Sequence, residues 1–188
     1  MRLFAAMDVP ADVRAAIAAV MARLRGTCRR ARWARPEGFH VTLKFIGEVL
    51  PEKAAAIQSA LATVPFPAPI AMDFQGLGFF PGDRRPRVLW AGVQAGPELA
   101  ALAAAIAAAL SPLGIADQAR AFSPHLTLAR FNSPGALDNL HAAIQAAGPL
   151  AFGGTVAKEF HLYQSVLKPG GAEYTRLASF AFPGSASE

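Results

Sequence analysis

The sequence predicts interleaved strands and helices folded as two facing lobes, related by an approximate twofold axis. Three observations predict it. Along the 188 residues, apolar positions switch repeatedly between strand-like alternation and helical spacing. The segment Phe39-His40-Val41-Thr42-Leu43 returns as Pro124-His125-Leu126-Thr127-Leu128. Each copy follows an amphipathic helix and a polar or basic connection, and precedes a helix opening at proline, Pro51 or Pro134. No stretch is long enough to link independent domains. The chain therefore reads as one domain over 1–188, built from two pseudo-repeats with motifs at 40–43 and 125–128. Two copies are too few for a solenoid.

In chain order, residues 1–9 read as a strand, and Pro10 with Asp12 opens a helix to about Leu24. Its apolar positions Val13, Ile17, Val20, Met21 and Leu24 recur at three- and four-residue steps, one face of a helix. An arginine-rich connection runs to Trp33, residues 39–47 alternate as a strand, and 51–64 form a second helix. Pro65, Pro67 and Pro69 stop that helix and lead into a strand over 70–79. FFPGDRRPR turns the chain by its Pro-Gly-Asp content, and 88–93 form the next strand. An alanine-rich helix begins near Pro97. A strand over 124–131, a helix over 134–147 and closing strands over 155–166 and 174–182 complete the chain.

At 53% hydrophobic and 16% charged, the chain is not of the disordered class. Its one cysteine, Cys28, excludes a disulfide framework and a Cys-based zinc site. The longest apolar stretch, 99–116, contains Ser111 and Pro112, and its Leu99, Leu102, Ile106, Leu110 and Leu113 fall at helical spacing. That is a stripe for a core rather than a membrane span. The first residues reach Asp8 and Pro10 too soon for a signal peptide. The expectation is a cytoplasmic protein with no membrane contact. The net charge of +5 rests on 14 arginines and four lysines. Arg14, Arg23, Arg25, Arg29, Arg30, Arg32 and Arg35 lie in a stretch free of carboxylates, and Arg84, Arg85 and Arg87 form a second cluster. Guanidinium forks suit phosphate recognition, although a solvated loop would carry the same charge.

The two histidine segments carry the chemistry. On a strand, His40 and Thr42 share one face and Val41 and Leu43 the other; His125 and Thr127 stand likewise against Leu126 and Leu128. Facing lobes would bring two imidazoles and two hydroxyls to one cleft. One neutral and one protonated imidazole can remove a proton from water and deliver one to a leaving oxygen, as phosphodiester cleavage requires. The hydroxyls would donate to non-bridging phosphate oxygens, with an arginine offsetting their charge. A lone strand histidine is more often structural; two in matched contexts are not so easily dismissed. His141 and His161 lack a threonine two residues on and read as structural. No His-x-x-x-His, cysteine pair or carboxylate cluster flanks the motifs, so no metal is expected. There is no nucleophile elbow, Walker A loop or dinucleotide fingerprint either.

On these motifs the sequence resembles the 2H phosphoesterases, which carry two His-x-Thr-x motifs, and within them the bacterial RNA 2′,3′-cyclic phosphodiesterase, or 2′-5′ RNA ligase, branch. RLFAAMDVP, ARWARPEGFHVTLKFIGEV, RPRVLWAGV, FSPHLTLARF and LYQSVLKPGGAEYTRLASFAF carry the resemblance over nearly the whole chain. It implies an α+β fold, bilobal, with antiparallel sheets facing a central groove and helices outside. It also implies cofactor-free, metal-independent opening of a terminal 2′,3′-cyclic phosphate to a 2′-phosphate. By the same resemblance His40 is the acid that protonates the departing 3′-oxygen and His125 the base that activates water; a pseudo-symmetric site leaves the opposite order open. Thr42 and Thr127 would hold phosphate oxygens, joined by Arg130. On an unbroken strand Arg130 would face away from Thr127, so a bulge or the strand's end must turn it inward. The first copy has Phe45 in that place, which predicts a site asymmetric in charge.

The expected partner is RNA with a cyclic phosphate end, such as tRNA fragments, or a nucleotide, bound by a monomer. Its upstream strand would run along Arg29, Arg30, Arg32 and Arg35, with Phe79 and Phe80 stacking bases; Trp33 is assigned to the core. Ligation of 2′-5′ ends is the reverse reaction on the same groups. A non-catalytic binder of RNA ends and a cyclic phosphodiesterase for a small nucleotide, or for cyclic ADP-ribose phosphate, remain as alternatives.

Overall fold

The computed structural model describes residues 1–29, 31–65, 68–116, 121–132, 137–169 and 171–182. Among the described residues, nine strands fall into two antiparallel sheets. Strands β1 (Arg2–Asp8), β3 (His40–Glu48), β8 (Glu159–Lys168) and β9 (Gly171–Ala181) make one sheet in the order β3-β1-β8-β9. The other contains β2 (Arg32–Trp33), β4 (Ile70–Phe80), β5 (Val88–Ala95), β6 (His125–Arg130) and β7 (Ala151–Ala157), ordered β2-β6-β5-β4-β7. The first sheet's edge strand β3 lies against β6, so the two histidine motifs meet where the sheets adjoin.

Helices α1 (Ala11–Arg25), α2 (Lys53–Ala62), α3 (Pro97–Leu110) and α4 (Asp138–Ala147) cover the far sides. The helix before each motif strand crosses to the other sheet: α1 packs on β7 and α3 on β3. The helix after each motif strand stays on its own side, α2 with α3 and β9, α4 with α1. The helices therefore interlock the two sheets. Buried side chains from both sheets, among them Leu3, Val41, Phe74, Leu89, Leu126 and Leu162, form one connected apolar cluster. The alanine-rich helix turns Leu99, Leu102, Ile106 and Leu110 into it, as their spacing requires. No helix among the described residues is long and apolar enough to cross a membrane.

Three expectations change. The single strand read over 155–166 is two strands in different sheets: β7 ends at Ala157 and β8 begins at Glu159, so the chain switches sheets at Lys158. Only Lys158 separates the two strands, too short a break to read as a turn in the sequence. Strand β2 falls within the predicted connection, because two residues carry no period. Helix α4 starts at Asp138, with the predicted start at Pro134 outside the described residues.

Candidate active site

Each motif histidine opens its strand and is tied down in the same way. His40 Nδ1 lies 2.7 Å from the Gly38 carbonyl oxygen, and His125 Nδ1 2.7 Å from that of Ser123. A carbonyl only accepts, so Nδ1 carries the hydrogen in both rings and Nε2 is the nitrogen left to exchange protons. The 3-10 turn Pro36–Gly38 presents the first of these carbonyls.

Cross-strand register shows what shares the groove face. Along β3, His40 pairs with Asp8, Thr42 with Ala6 and Phe45 with Phe4. Along β6, His125 pairs with Gly92, Thr127 with Trp90 and Arg130 with Val88. In both strands one extra residue, Leu43 or Leu128, sits after the threonine, because the register slips there. The slip buries two consecutive residues in each strand, Leu43 with Lys44 and Leu128 with Ala129, and returns the next side chain to the groove. This bulge is what Arg130 needs to join Thr127, and it sets Phe45, 54% exposed, at the equivalent place in the first copy.

The first sheet packs rings around His40. Phe4 lies 4.6 Å from it centroid to centroid, and Tyr174 stands edge-on at 5.0 Å. Tyr174 rests on Gly38, where a Cβ would come within 3.0 Å of the ring. Beside His40, Asp8 accepts from the Tyr163 hydroxyl and from Arg176 Nη2, while Arg176 Nε lies 3.3 Å from the same hydroxyl. Buried His161 adds its Nε2 at 3.6 Å from Asp8, and its Nδ1 meets Ser179 Oγ at 2.9 Å. Burial and the bond to Asp8 push the Tyr163 hydroxyl up to about 12, so it stays a donor. Sequence reasoning missed this cluster; Asp8 falls opposite His40 only once the antiparallel register is known.

Burial holds His40 below its ordinary value; the Gly38 carbonyl and Asp8 oppose that, and His125 and Arg130 add to it. Burial also lowers His125, opposed by the Ser123 carbonyl and reinforced by Arg130. The two rings and Arg130 thus share one electrostatic neighbourhood, in which only His40 is acted on by a carboxylate.

The remaining expected residues divide. Arg32 is the cross-strand partner of Arg130, so the two project from the same face. Arg29 and Arg35 are exposed nearby in sequence, and Arg30 lies outside the described residues. Phe80 stands edge-on to His125 at 4.9 Å and packs on Trp90. Phe79 is a correction: adjacent strand residues face opposite ways, and its ring packs on Phe131 and His141 away from the groove. Trp33 packs half-buried against the core, with Nε1 donating to the Cys28 carbonyl at 3.2 Å.

The sequence matches the family model of the 2′-5′ RNA ligase superfamily over residues 9–166. An RNA 2′,3′-cyclic phosphodiesterase of Archaeoglobus fulgidus is 35% identical over 182 residues, covering 96% of this chain and 99% of that one. The Thermus thermophilus protein of the same name is 33% identical, covering 98% and 91%. Among solved structures, TT0787 of Thermus thermophilus matches with a TM-score of 0.81 at 32% identity, over 98% of this chain and 100% of that one. E. coli LigT complexed with 3′-AMP matches at 0.79 and 28% identity, over 97% and 98%. Fold and sequence together define a phosphodiesterase of the 2H type. The chain belongs to the 2′-5′ RNA ligase superfamily.

Proposed function

We propose that this protein opens RNA 2′,3′-cyclic phosphate ends to 2′-phosphates without a metal, with His125 as base and His40 as acid. The observation that carries the reading is the matched pair of Nδ1-anchored imidazoles, each followed by a groove-facing threonine. The names of the relatives supply the substrate class. The complex of LigT with 3′-AMP supports a nucleotide as ligand.

His125 Nε2 takes a proton from water, whose oxygen attacks phosphorus. The bond from phosphorus to O3′ breaks, and His40 Nε2 gives its proton to that oxygen. Thr42, Thr127 and Arg130 hold the non-bridging oxygens, whose charge grows in the transition state. Before substrate binds, burial keeps both rings neutral. An arriving phosphodiester anion favours an imidazolium, and Asp8 directs the proton to His40 rather than to His125. Phe45 offers its ring to the terminal nucleoside, and Arg32, with Arg29, Arg30 and Arg35, offers charge to the upstream phosphates. With a 5′-hydroxyl in place of water, its oxygen bonding to phosphorus as O3′ leaves, the same groups would join 2′-5′ ends. The protein works as a cytoplasmic monomer in this reading, which a sedimentation measurement of its mass would check.

The test is an oligoribonucleotide with a 2′,3′-cyclic phosphate end, incubated in chelator with wild type, His40→Ala and His125→Ala. Wild type should yield a 2′-phosphate. A 3′-phosphate product, dependence on a divalent ion, or binding of RNA and cyclic mononucleotides without turnover would contradict the reading.

A further inference from the structure

The chain has two tyrosines, and both stand beside Phe4, Tyr163 at 5.4 Å and Tyr174 at 5.2 Å between ring centroids. Their hydroxyls differ. That of Tyr163 donates to Asp8. That of Tyr174 has no hydrogen-bond partner among the described residues, although the ring beneath it is closely held.

Tyr174 arrives from a distance. It lies on β9, the far edge of the first sheet, with β8 and β1 between it and β3. In a flat sheet three strand spacings amount to about 14 Å. Yet its ring stands 5.0 Å from that of His40, and a Cβ on Gly38 would come within 3.0 Å of its Cε2. The sheet curls around Phe4 until its last strand meets the start of the first motif strand, and the bare Gly38 leaves room for the ring. Tyr174 pairs with Ser165, two residues on from Tyr163, and so shares Tyr163's face of the sheet. It remains 38% exposed, within reach of a ligand in the groove.

The two lobes are unequal in donors. After the histidine, the second motif strand supplies Thr127 and Arg130 to the phosphate; the first supplies Thr42 and then Phe45, which donates nothing. Tyr174 stands in the lobe that is one donor short. The charge of Arg130 acts on its hydroxyl as it acts on His40, so the phenol faces the same neighbourhood as the two imidazoles. Burial raises that hydroxyl above its ordinary value, with Arg130 opposing. At neutral pH it keeps its proton, and toward an anion it is a donor.

We propose that Tyr174 is a further catalytic residue, whose hydroxyl donates to one non-bridging phosphate oxygen in place of the arginine that the first motif strand lacks; this rests on the roles given above to His40, Thr42 and Arg130. A phenol has one proton to donate, so it serves one of the two non-bridging oxygens and not the other.

Tyr174→Phe tests this. It keeps the ring against His40, Phe4 and Gly38, and removes a hydroxyl on which nothing else in the fold depends. The variant and wild type are compared on an oligoribonucleotide with a 2′,3′-cyclic phosphate end and on the Rp and Sp cyclic phosphorothioates of that end. In each isomer sulfur, a weak acceptor, replaces one of the two oxygens. Tyr174→Phe should lose roughly ten- to hundredfold in kcat/KM on the oxygen substrate, the scale of one hydrogen bond to a charged group. The loss should persist on one isomer and largely vanish on the other, whose sulfur already occupies the contacted position. Wild-type kcat/KM on all three substrates would overturn the proposal. So would an equal loss on all three at an unchanged melting temperature, which would confine Tyr174 to holding the His40 ring. Absence of hydrolysis by wild type would instead remove the reading beneath it, and the proposal with it.

Discussion

The two motif strands share a backbone plan and differ in what surrounds it. Both start at a histidine anchored through Nδ1, place a threonine two residues on, and bulge at the following leucine. Opposite the histidine, however, stands Asp8 in one lobe and Gly92 in the other; after the bulge comes Phe45 in one and Arg130 in the other. A symmetric frame can hold a phosphate between two equal imidazoles, but it cannot choose which one carries the proton. In the proposed mechanism the differences make that choice: the carboxylate favours charge on His40, and the glycine leaves space beside His125 for the attacking group.

Removing either imidazole should cost most. His40→Ala and His125→Ala should each lose at least about a hundredfold in kcat, the usual scale of a positioned acid or base, and rapid quench would show it. A loss below that in both would return the groove to a binding role. Arg130→Ala removes a hydrogen-bond donor to a charged oxygen, about 1.5–3 kcal/mol. It should appear in kcat/KM as a loss of roughly ten- to hundredfold. Phe45→Ala should raise KM, and Phe45→Tyr should restore it, since a stacked base contributes about 1–3 kcal/mol; an unchanged KM would confine Phe45 to packing on Phe4.

The pH profile sharpens the contrast between Asp8 and Gly92. Asp8 opposes the lowering of His40. Asp8→Asn should therefore move to lower pH the limb of kcat/KM that His40 sets and leave the limb that His125 sets in place. Equal movement of both limbs would contradict separate control of the two rings. The smallest effect is on stability. His40, His125 and His161 are all lowered from 6.5 in the fold by burial. The unfolded chain then binds more protons just below 6.5, so stability is full above that pH and falls as pH drops through it. Thermal melts of wild type should follow that trend, and the slope should lessen in His161→Gln.

Much of this was legible in the sequence because it is local. Strand alternation around His40 and His125, the stripe of the alanine-rich helix and the repeated segment each need only neighbouring residues. Arg130 shows the boundary: its place after the motif implies a bulge, but only the pairing of Ala129 with Leu89 and Thr127 with Trp90 locates one. Asp8, Tyr163 and Arg176 were not legible, since they meet through register between strands far apart in sequence. Of the adjacent Phe79 and Phe80, alternation allows only one in the groove, and composition does not say which.

The direct test of the asymmetry is a substrate whose O3′ is replaced by sulfur, a leaving group that needs no protonation. His40→Ala should fail on the oxygen substrate and recover most of its rate on the sulfur one, while His125→Ala stays impaired on both. Recovery by His125→Ala instead would show that the acid stands opposite Gly92, and the account of how the two lobes divide the reaction would be reversed.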